Sequence, residues 1–270
     1  MPEELLVLGA PSGVGKSALA YGVCEKVALN TGPVFYEQNE MTADQMSSRR
    51  LSAITQIPTY KIRTGNLTAE EEEKLYIAAQ SLEGMPLHLS AGSTNTIEKV
   101  HRKAAAMQAR MGLSLIVLDS IKMTAVDDKR MNAPDKLPAR CEYVVGYSKF
   151  IAKDLSIPVI AIAHDKREAR DPLQRIKRDD LYGGGAVEQQ ADNVIIIHRP
   201  EDALKRNEPL DTGSEAYIEW QQRCGEWEGI AELHADKVRM GQANRKAQVY
   251  WNGATTTFHE NRSFEEGALL

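Results

Sequence analysis

The residues best suited to chemistry stand in one short run near the start of the chain. Residues 9–17 read Gly-Ala-Pro-Ser-Gly-Val-Gly-Lys-Ser, between the apolar run Leu5 to Leu8 and a helical stretch, Ala18 to Leu29. A strand, a glycine-rich loop and a helix in this order form a phosphate-binding loop, whose backbone N–H groups and helix dipole attract phosphate oxygens. The strict pattern has Gly where this chain has Ala10, but the remaining glycines leave room for close approach. The candidate nucleotide-binding residues are Gly13, Val14, Gly15, Lys16, Ser17 and Ala18.

Two side chains of this loop predict a nucleoside triphosphate with Mg²⁺. Lys16 would reach the β- and γ-phosphates, and the Ser17 hydroxyl would bind the metal ion. A second metal-holding carboxylate is expected from another strand, and Asp119 directly follows the apolar run Leu115 to Leu118. An isolated Asp at a strand end more often caps the next helix. The phosphate loop in the same chain favours the metal role, so we expect ATP and Mg²⁺ as ligands.

Hydrolysis also needs a group that positions water and a group that senses the γ-phosphate. Glu40 lies just past the probable second strand, near the phosphate loop if the first two strands are neighbours, and could polarise water. Glu37 competes for this role, and either residue could instead be an ordinary solvated carboxylate. His164 follows the apolar run Val159 to Ala163, at the strand end where ligands collect in open α/β sheets. It is a candidate γ-phosphate sensor, with a structural histidine as the alternative.

The most basic stretch of the chain follows His164. It has six cations against two acids and little apolar content, which favours an exposed loop that contacts phosphate backbones. It has no aromatic residue for base stacking, so it would bind nucleic acid without reading its sequence. A solvated charged loop is the alternative. The candidate DNA-binding residues are Lys166, Arg167, Arg170, Arg175, Lys177 and Arg178.

Short apolar runs alternate with longer amphipathic stretches along most of the chain, which predicts an α/β fold with a mostly parallel sheet flanked by helices. The predicted parallel strands are Leu5 to Leu8, Pro33 to Tyr36, Pro86 to Leu89, Leu113 to Leu118, Pro158 to Ala163 and Asn193 to His198. Further predicted helices are Thr42 to Ile54, Thr68 to Leu82, Thr94 to Met111 and Val144 to Leu155. After residue 210, four short strands predict an antiparallel C-terminal extension: Ala216 to Trp220, Ile230 to Ala235, Ala247 to Trp251 and Thr255 to His259.

Composition sets the broad class. The chain has 270 residues and no Pro/Gly/Ser-rich linker, so we expect residues 1–270 to form a single domain. It has no membrane-spanning stretch and no signal peptide, which predicts a cytoplasmic protein without a membrane partner. Three widely spaced cysteines have no metal-ligand spacing, and the net charge of −5 argues against a nucleic-acid coat over the whole surface.

The order of these motifs resembles the RecA-fold ATPase domain of DnaB-type replicative helicases of superfamily four. In that family a Ser-Leu-Glu-Met motif is followed by a helix with Arg-Leu, and a Lys-x-Arg-x-Gly motif comes near the end. The matching segments here are Asn39-Glu40-Met41, Arg49-Arg50-Leu51, Arg63 to Thr68, Ile157 to Ala161, Asp180-Leu181, Gly185 to Asp192 and Lys237 to Gly241. Two departures stand out: His164 replaces the sensor Gln, and Tyr182 and Gly183 replace an Arg-x-Ser pattern.

The resemblance implies a RecA-like P-loop NTPase that couples ATP hydrolysis to movement on single-stranded DNA and to duplex unwinding in replication. It makes Glu40 the catalytic base, His164 the γ-phosphate sensor, and Arg239 with Lys237 a finger that acts on the neighbouring subunit's nucleotide. It also implies a homo-hexamer that works with a loader or primase. Since nothing here matches the family's primase-binding N-terminal domain or linker helix, we expect a compact version from a phage or mobile element.

Two other functions share these features. A RadA- or KaiC-like ATPase has the same fold, phosphate loop and finger logic, and would be a recombinase or regulator. A non-motor protein with an ATPase fold would dock on DNA or on a helicase without turnover. The presence of Gly15, Lys16, Ser17, Glu40 and Asp119 together argues against an inactive relic.

Overall fold

A computed structural model describes residues 2–92, 95–166 and 173–260 of the chain. Its strands form one sheet in the order β3-β2-β4-β5-β1-β6-β7-β8-β9. They are β1 Leu5–Ala10, β2 Val34–Gln38, β3 Leu87–Ala91, β4 Leu115–Asp119, β5 Val159–His164, β6 Asn193–His198, β7 Ile230–Val238, β8 Lys246–Asn252 and β9 Thr257–Glu260. Strands β1 to β6 pair in parallel, and β7, β8 and β9 continue the sheet antiparallel. The predicted mostly parallel sheet with an antiparallel C-terminal extension is therefore confirmed.

Helices flank this sheet, with buried apolar clusters on both of its faces. In the described part of the chain they are α1 Lys16–Asn30, α2 Ala43–Thr55, α3 Thr59–Thr64, α4 Ala69–Leu82, α5 Ile97–Met111, α6 Leu137–Leu155, α7 Gly184–Gln190, α8 Glu201–Arg206 and α9 Glu215–Glu226. Thr42 and Thr68 start α2 and α4 with capping boxes, in which the threonine side chain and the residue at the third helical position satisfy each other's backbone N–H. None of these helices is both long and apolar enough to cross a membrane.

Helix boundaries differ from the sequence prediction in two places. Helix α5 begins at Ile97, after the side chain of Thr96 caps it, while the predicted start at Thr94 lies outside the described residues. Helix α6 begins at Leu137, about two turns before the predicted Val144.

One predicted strand is wrong, because Ala216 to Trp220 lies within α9. The Ser214 side chain caps this helix by accepting the Tyr217 N–H. The aromatic rings of Tyr217 and Trp220, three residues apart, pack with centroids 5.2 Å apart, and the Trp220 indole donates to the carbonyl oxygen of Leu204 in α8. These residues therefore follow helical spacing, although their alternating apolar types resemble a strand.

In this sheet the carboxyl edge is the side on which the parallel strands end, and the amino edge is the side on which they begin. All six parallel strands end at one edge, where the loop after β1 and the ends of β2, β4, β5 and β6 meet. The condition that β1 and β2 are neighbours is not met, since β4 and β5 lie between them. The antiparallel β7 runs the other way, so that Val238 pairs with Asn193 at the opposite, amino edge.

Candidate functional site

The loop between β1 and α1 is built to leave backbone N–H groups exposed to an anion. Gly13 and Gly15 have left-handed φ angles of 79° and 111°, which other residues rarely adopt. A Cβ at Gly15 would also lie 2.9 Å from the ring of Phe258. Helix α1 then starts at Lys16 with no side-chain cap and no acidic residue in its first turn. Its first N–H groups are therefore free to bind phosphate oxygens.

Lys16 is folded back onto this loop. Its ammonium donates to the carbonyl oxygens of Ala10 at 2.9 Å and Pro11 at 2.8 Å, and the residue is only 5% exposed. Burial lowers the pKa of Lys16 to about 8, although the carboxylates of Glu40, Asp119 and Asp165 partly oppose the shift. A cation in such a desolvated site attracts phosphate more strongly than one in water.

Asp119 lies at the end of β4 and is fully buried. Its Oδ2 accepts hydrogen bonds from the Tyr36 hydroxyl at 2.8 Å and from Gln38 Nε2 at 3.1 Å, while Oδ1 has no hydrogen-bond partner. Burial raises the pKa of the Asp119 carboxyl above its ordinary value, an effect that the nearby Ser17 hydroxyl reduces. A buried, unpaired carboxylate oxygen beside a hydroxyl fits a hard cation such as Mg²⁺, which takes oxygen ligands. Ser17 and Asp119 thus lie close together, and their role in holding a metal ion stays a prediction.

Glu40 and His164 meet beside the phosphate loop. Oε1 of Glu40 lies 3.4 Å from Nε2 of His164 and accepts a hydrogen bond of 2.7 Å from the Ser120 hydroxyl. Burial and the charge of Lys16 lower the pKa of His164 to about 4, so the imidazole is neutral at pH 7. Glu40 is held beside the end of β4, because the N–H of the neighbouring Asn39 donates to the Asp119 carbonyl oxygen at 2.6 Å.

The competing carboxylate, Glu37, lies elsewhere. It is fully buried, and its Oε1 accepts a hydrogen bond from Asn95, in the segment before α5. Its Oε2 is 3.7 Å from the ammonium of Lys103 in α5. Successive residues of a strand point to opposite faces, so Glu37 points away from the Asp119 side of the sheet that Tyr36 and Gln38 contact. Of the two candidates, only Glu40 is close to the phosphate loop.

Lys237 and Arg239 lie at the amino edge of the sheet. The Lys237 ammonium donates to the carbonyl oxygens of Glu188 and Ala191, both at 2.6 Å, and Arg239 forms an ion pair of 3.0 Å with Asp192. The Asp192 N–H in turn donates to the carbonyl oxygen of Leu5, at the start of β1. Since the phosphate loop follows the other end of β1, roughly 15–20 Å of strand separates these cations from their own Lys16.

The basic segment after β5 is partly held by acids of β7. Arg175 pairs with Glu232 at 2.6 Å, and Arg178 pairs with Asp236 at 2.9 Å. Lys166 and Lys177 are exposed, whereas Arg167 and Arg170 lie outside the described residues. A phosphate would therefore compete with carboxylates at the two described arginines. At the two lysines it would meet exposed residues, although the Lys166 ammonium donates to the Asp179 carbonyl oxygen at 3.3 Å.

Sequence reasoning missed Arg199, which follows β6. It is buried and donates to the carbonyl oxygens of Val14 at 3.2 Å and Gly13 at 2.9 Å. Its guanidinium also lies 4.8 Å from the ring centroid of Trp251. The C=O and N–H of one peptide unit point in opposite directions. By binding these two carbonyl oxygens, Arg199 therefore turns the N–H groups that follow them towards the inside of the loop. Its position after a buried parallel strand is the same signal that identified His164.

Comparisons with known proteins identify the family of this chain. The family described as DnaB-like helicase C terminal domain matches residues 1–260. The chain is 27% identical to the Replicative DNA helicase DnaB of Rickettsia typhi (strain ATCC VR-144 / Wilmington) over 279 residues, which cover 97% of this chain and 54% of that protein. It is 26% identical to the Replicative DNA helicase DnaC of Bacillus subtilis (strain 168) over 236 residues, covering 80% and 50%. The chain thus spans about half the length of these curated relatives.

Solved structures show the same fold. One of them, an isolated ATPase domain, has a TM-score of 0.78 and 18% identity, covering 97% of this chain and 86% of that one. A DnaB-like replicative helicase, solved to show its interactions with primase, has a TM-score of 0.77 and 18% identity, covering 97% and 58%. The RecA-like prediction is confirmed by these neighbours. From its match over nearly its whole length, this chain belongs to the family of DnaB-like helicase C-terminal domains.

Proposed function

We propose that this chain is the motor of a replicative DNA helicase, which hydrolyses ATP to move along single-stranded DNA and unwind duplex during replication. The proposal rests on one observation, which is that side chains from the ends of four different strands meet at one edge of the sheet. They are Lys16, Glu40, Asp119 and His164. A site of this composition suits phosphoryl transfer to water. Family membership supports the coupling to DNA unwinding, and we expect this work in the bacterial or phage-infected cytoplasm.

In this mechanism the phosphate loop and Lys16 hold the β- and γ-phosphates. Ser17 and Asp119 would hold Mg²⁺, which neutralises phosphate charge when bound. Glu40 takes a proton from water as the water oxygen attacks the γ-phosphorus and the bond to the β-phosphate oxygen breaks, which leaves ADP and phosphate. His164, neutral at pH 7, would donate a hydrogen bond to the γ-phosphate and lose it after release.

The segment after His164 is the proposed DNA contact. Its ends are joined close to the sensor, because Tyr182 N–H donates to the His164 carbonyl oxygen at 2.8 Å and Lys166 N–H donates to that of Asp180 at 2.8 Å. Exposed cations on this segment would bind the phosphate backbone without reading bases. The proposed contacts are Lys166, Arg167, Arg170, Arg175, Lys177 and Arg178.

The proposed active site is completed by a neighbouring subunit. Lys237 and Arg239 lie at the far edge of the sheet from their own phosphate loop, so a role in catalysis requires a second copy of the chain. A ring of six subunits, as the family resemblance implies, would place each finger at the next nucleotide. The interactions with primase described for a related helicase structure support primase as a further partner, and a loader is expected from the family resemblance alone.

Helicase activity is tested by strand displacement on forked DNA with ATP, alongside light scattering to size the assembly. We expect unwinding and DNA-stimulated ATP hydrolysis by an oligomer. Strand exchange without unwinding would instead favour a recombinase, and undetectable DNA-stimulated turnover would favour a non-motor binding protein.

The base is tested by Glu40→Gln, with Glu37→Gln as the matched control. We expect the first variant to bind nucleotide and lose at least about a hundredfold in hydrolysis, as for loss of a general base. We expect the second to retain turnover, because Glu37 faces α5. A hundredfold loss confined to Glu37→Gln would show that the assignment is wrong.

A further inference from the structure

Ser120 has no role in the mechanism so far, although it touches the proposed base. It directly follows Asp119 and is fully buried. Its hydroxyl donates to Oε1 of Glu40 at 2.7 Å, a hydrogen bond between residues 80 positions apart. The buried hydroxyl thus finds its acceptor on a side chain of the active site, the carboxylate of Glu40, whose side chain is 32% exposed.

The backbones on both sides of this hydrogen bond are fixed. The Glu40 N–H donates to Oε1 of Gln38 at 2.8 Å, and the neighbouring Asn39 N–H donates to the Asp119 carbonyl oxygen. On the other side, the Thr124 hydroxyl donates to the Ser120 carbonyl oxygen at 2.8 Å. The side-chain torsions of Glu40 are thus the remaining freedom, and the Ser120 hydroxyl restricts them.

The hydrogen bond also distinguishes the two oxygens of the carboxylate. Oε1 accepts from Ser120 and faces Nε2 of His164. Among the described residues, no hydrogen bond or ion pair involves Oε2 of Glu40. One oxygen is therefore held in place, and the other is left to act as the base in the proposed mechanism.

We propose that Ser120 is a positioning residue, which holds Oε1 of Glu40 so that Oε2 receives the proton of the attacking water. This inference rests on the proposed function, in which Glu40 is the general base. In the described part of the chain, no hydrogen bond joins Ser120 to the phosphate loop or to the Lys16 ammonium. Its effect should therefore fall on the chemical step and leave nucleotide binding unchanged.

The test is a cycle of Ser120→Ala, Glu40→Gln and the double variant, with steady-state ATP hydrolysis as the readout. We expect Ser120→Ala to lower kcat by about ten- to a hundredfold, since a misplacement of about 1 Å costs on that order. KM for ATP and the Mg²⁺ concentration for half-maximal rate should stay within about twofold. In the double variant the loss should equal that of Glu40→Gln alone, because Ser120 acts only through Glu40.

Two further variants separate positioning from packing. Ser120→Thr keeps the hydroxyl and should retain most of the activity. Ser148→Ala is the matched control, since Ser148 is equally buried and its hydroxyl donates to the Val144 carbonyl oxygen within α6, outside the site. It should leave kcat unchanged, and melting temperatures would show that all variants fold.

Wild-type kcat in Ser120→Ala, while Glu40→Gln is inactive, would overturn the proposal and leave the proposed function intact. An additional loss when Ser120→Ala is added to Glu40→Gln would also overturn it, because Ser120 would then act independently. Wild-type hydrolysis by Glu40→Gln would remove the base itself, and this inference with it.

Discussion

Nucleotide affinity should depend on pH through Lys16. This buried ammonium donates to the loop's own carbonyl oxygens of Ala10 and Pro11, and burial lowers its pKa to about 8. The β- and γ-phosphates of ATP add negative charge beside Lys16 and favour its protonated form. Binding therefore raises the pKa of Lys16 and takes up a proton wherever the free site has lost one.

The size of the effect follows from that pKa. With a value near 8, about nine-tenths of free Lys16 is protonated at pH 7 and about one-tenth at pH 9. The bound state stays protonated across this range, so the apparent Kd for ATP should rise about tenfold between pH 7 and pH 9. The direction is fixed, because ATP binds the form that high pH removes.

Calorimetry with a slowly hydrolysed ATP analogue at saturating Mg²⁺ measures this dependence. Titrations at pH 8.5 in buffers of different ionisation enthalpy should show proton uptake on binding. Lys16→Arg is the control, since a guanidinium stays charged over this range. A Kd for the unmodified chain that is flat from pH 7 to pH 9, or an equal fall in affinity in Lys16→Arg, would refute the reasoning.

Two further predictions address the finger and the sensor. Arg239→Ala alone should lower the rate of ATP hydrolysis by a factor on the order of 10³ or more. An equal mixture with Lys16→Ala should restore activity at about a quarter of the subunit interfaces, where an intact phosphate loop meets an intact finger. Co-assembled mixtures that show no recovery would count against a trans role, and full activity of Arg239→Ala alone would exclude it. The pKa of His164 is lower in the folded chain than in the unfolded chain. As the pH falls below about 6.5, the unfolded chain therefore binds a proton first. The wild type should therefore lose stability relative to His164→Gln between about pH 6.5 and pH 4 in urea titrations, and a constant difference would show that the imidazole is not buried neutral.

Most of the sheet, and the strand ends at which the site residues lie, could be predicted from the sequence. Apolar runs that end in a polar residue predicted where Asp119 and His164 lie, because parallel strands bring their carboxyl ends to one edge. All six parallel strands were predicted, and three of the four predicted C-terminal strands are strands in the structure. These features depend on local pattern, which the sequence records directly.

The features that could not be predicted from the sequence depend on contacts between residues far apart in the chain. The order of the strands places the end of β2 beside the end of β4, which brings Glu40 to Ser120 and the site. The pairing of Arg199 with the phosphate loop joins residues 185 and 186 positions apart, which no local pattern encodes. Short helices such as α3 and α8 have too few turns for a periodic signal.

In the proposed helicase, the geometry around His164 would place the coupling between nucleotide and DNA at the base of the basic segment. Asp165 and Leu181 form a bridge there, and Leu181 packs so closely on β1 that a Cβ at Gly9 would lie 2.7 Å from its side chain. The same few residues therefore touch the strand that delivers the phosphate loop, the sensor and both ends of the segment proposed to bind DNA. Glu40 and His164 are 3.4 Å apart, already longer than a strong hydrogen bond. In the proposed mechanism, a shift of about 1 Å at this base would separate them, so we expect movement of the segment to change the rate of ATP hydrolysis.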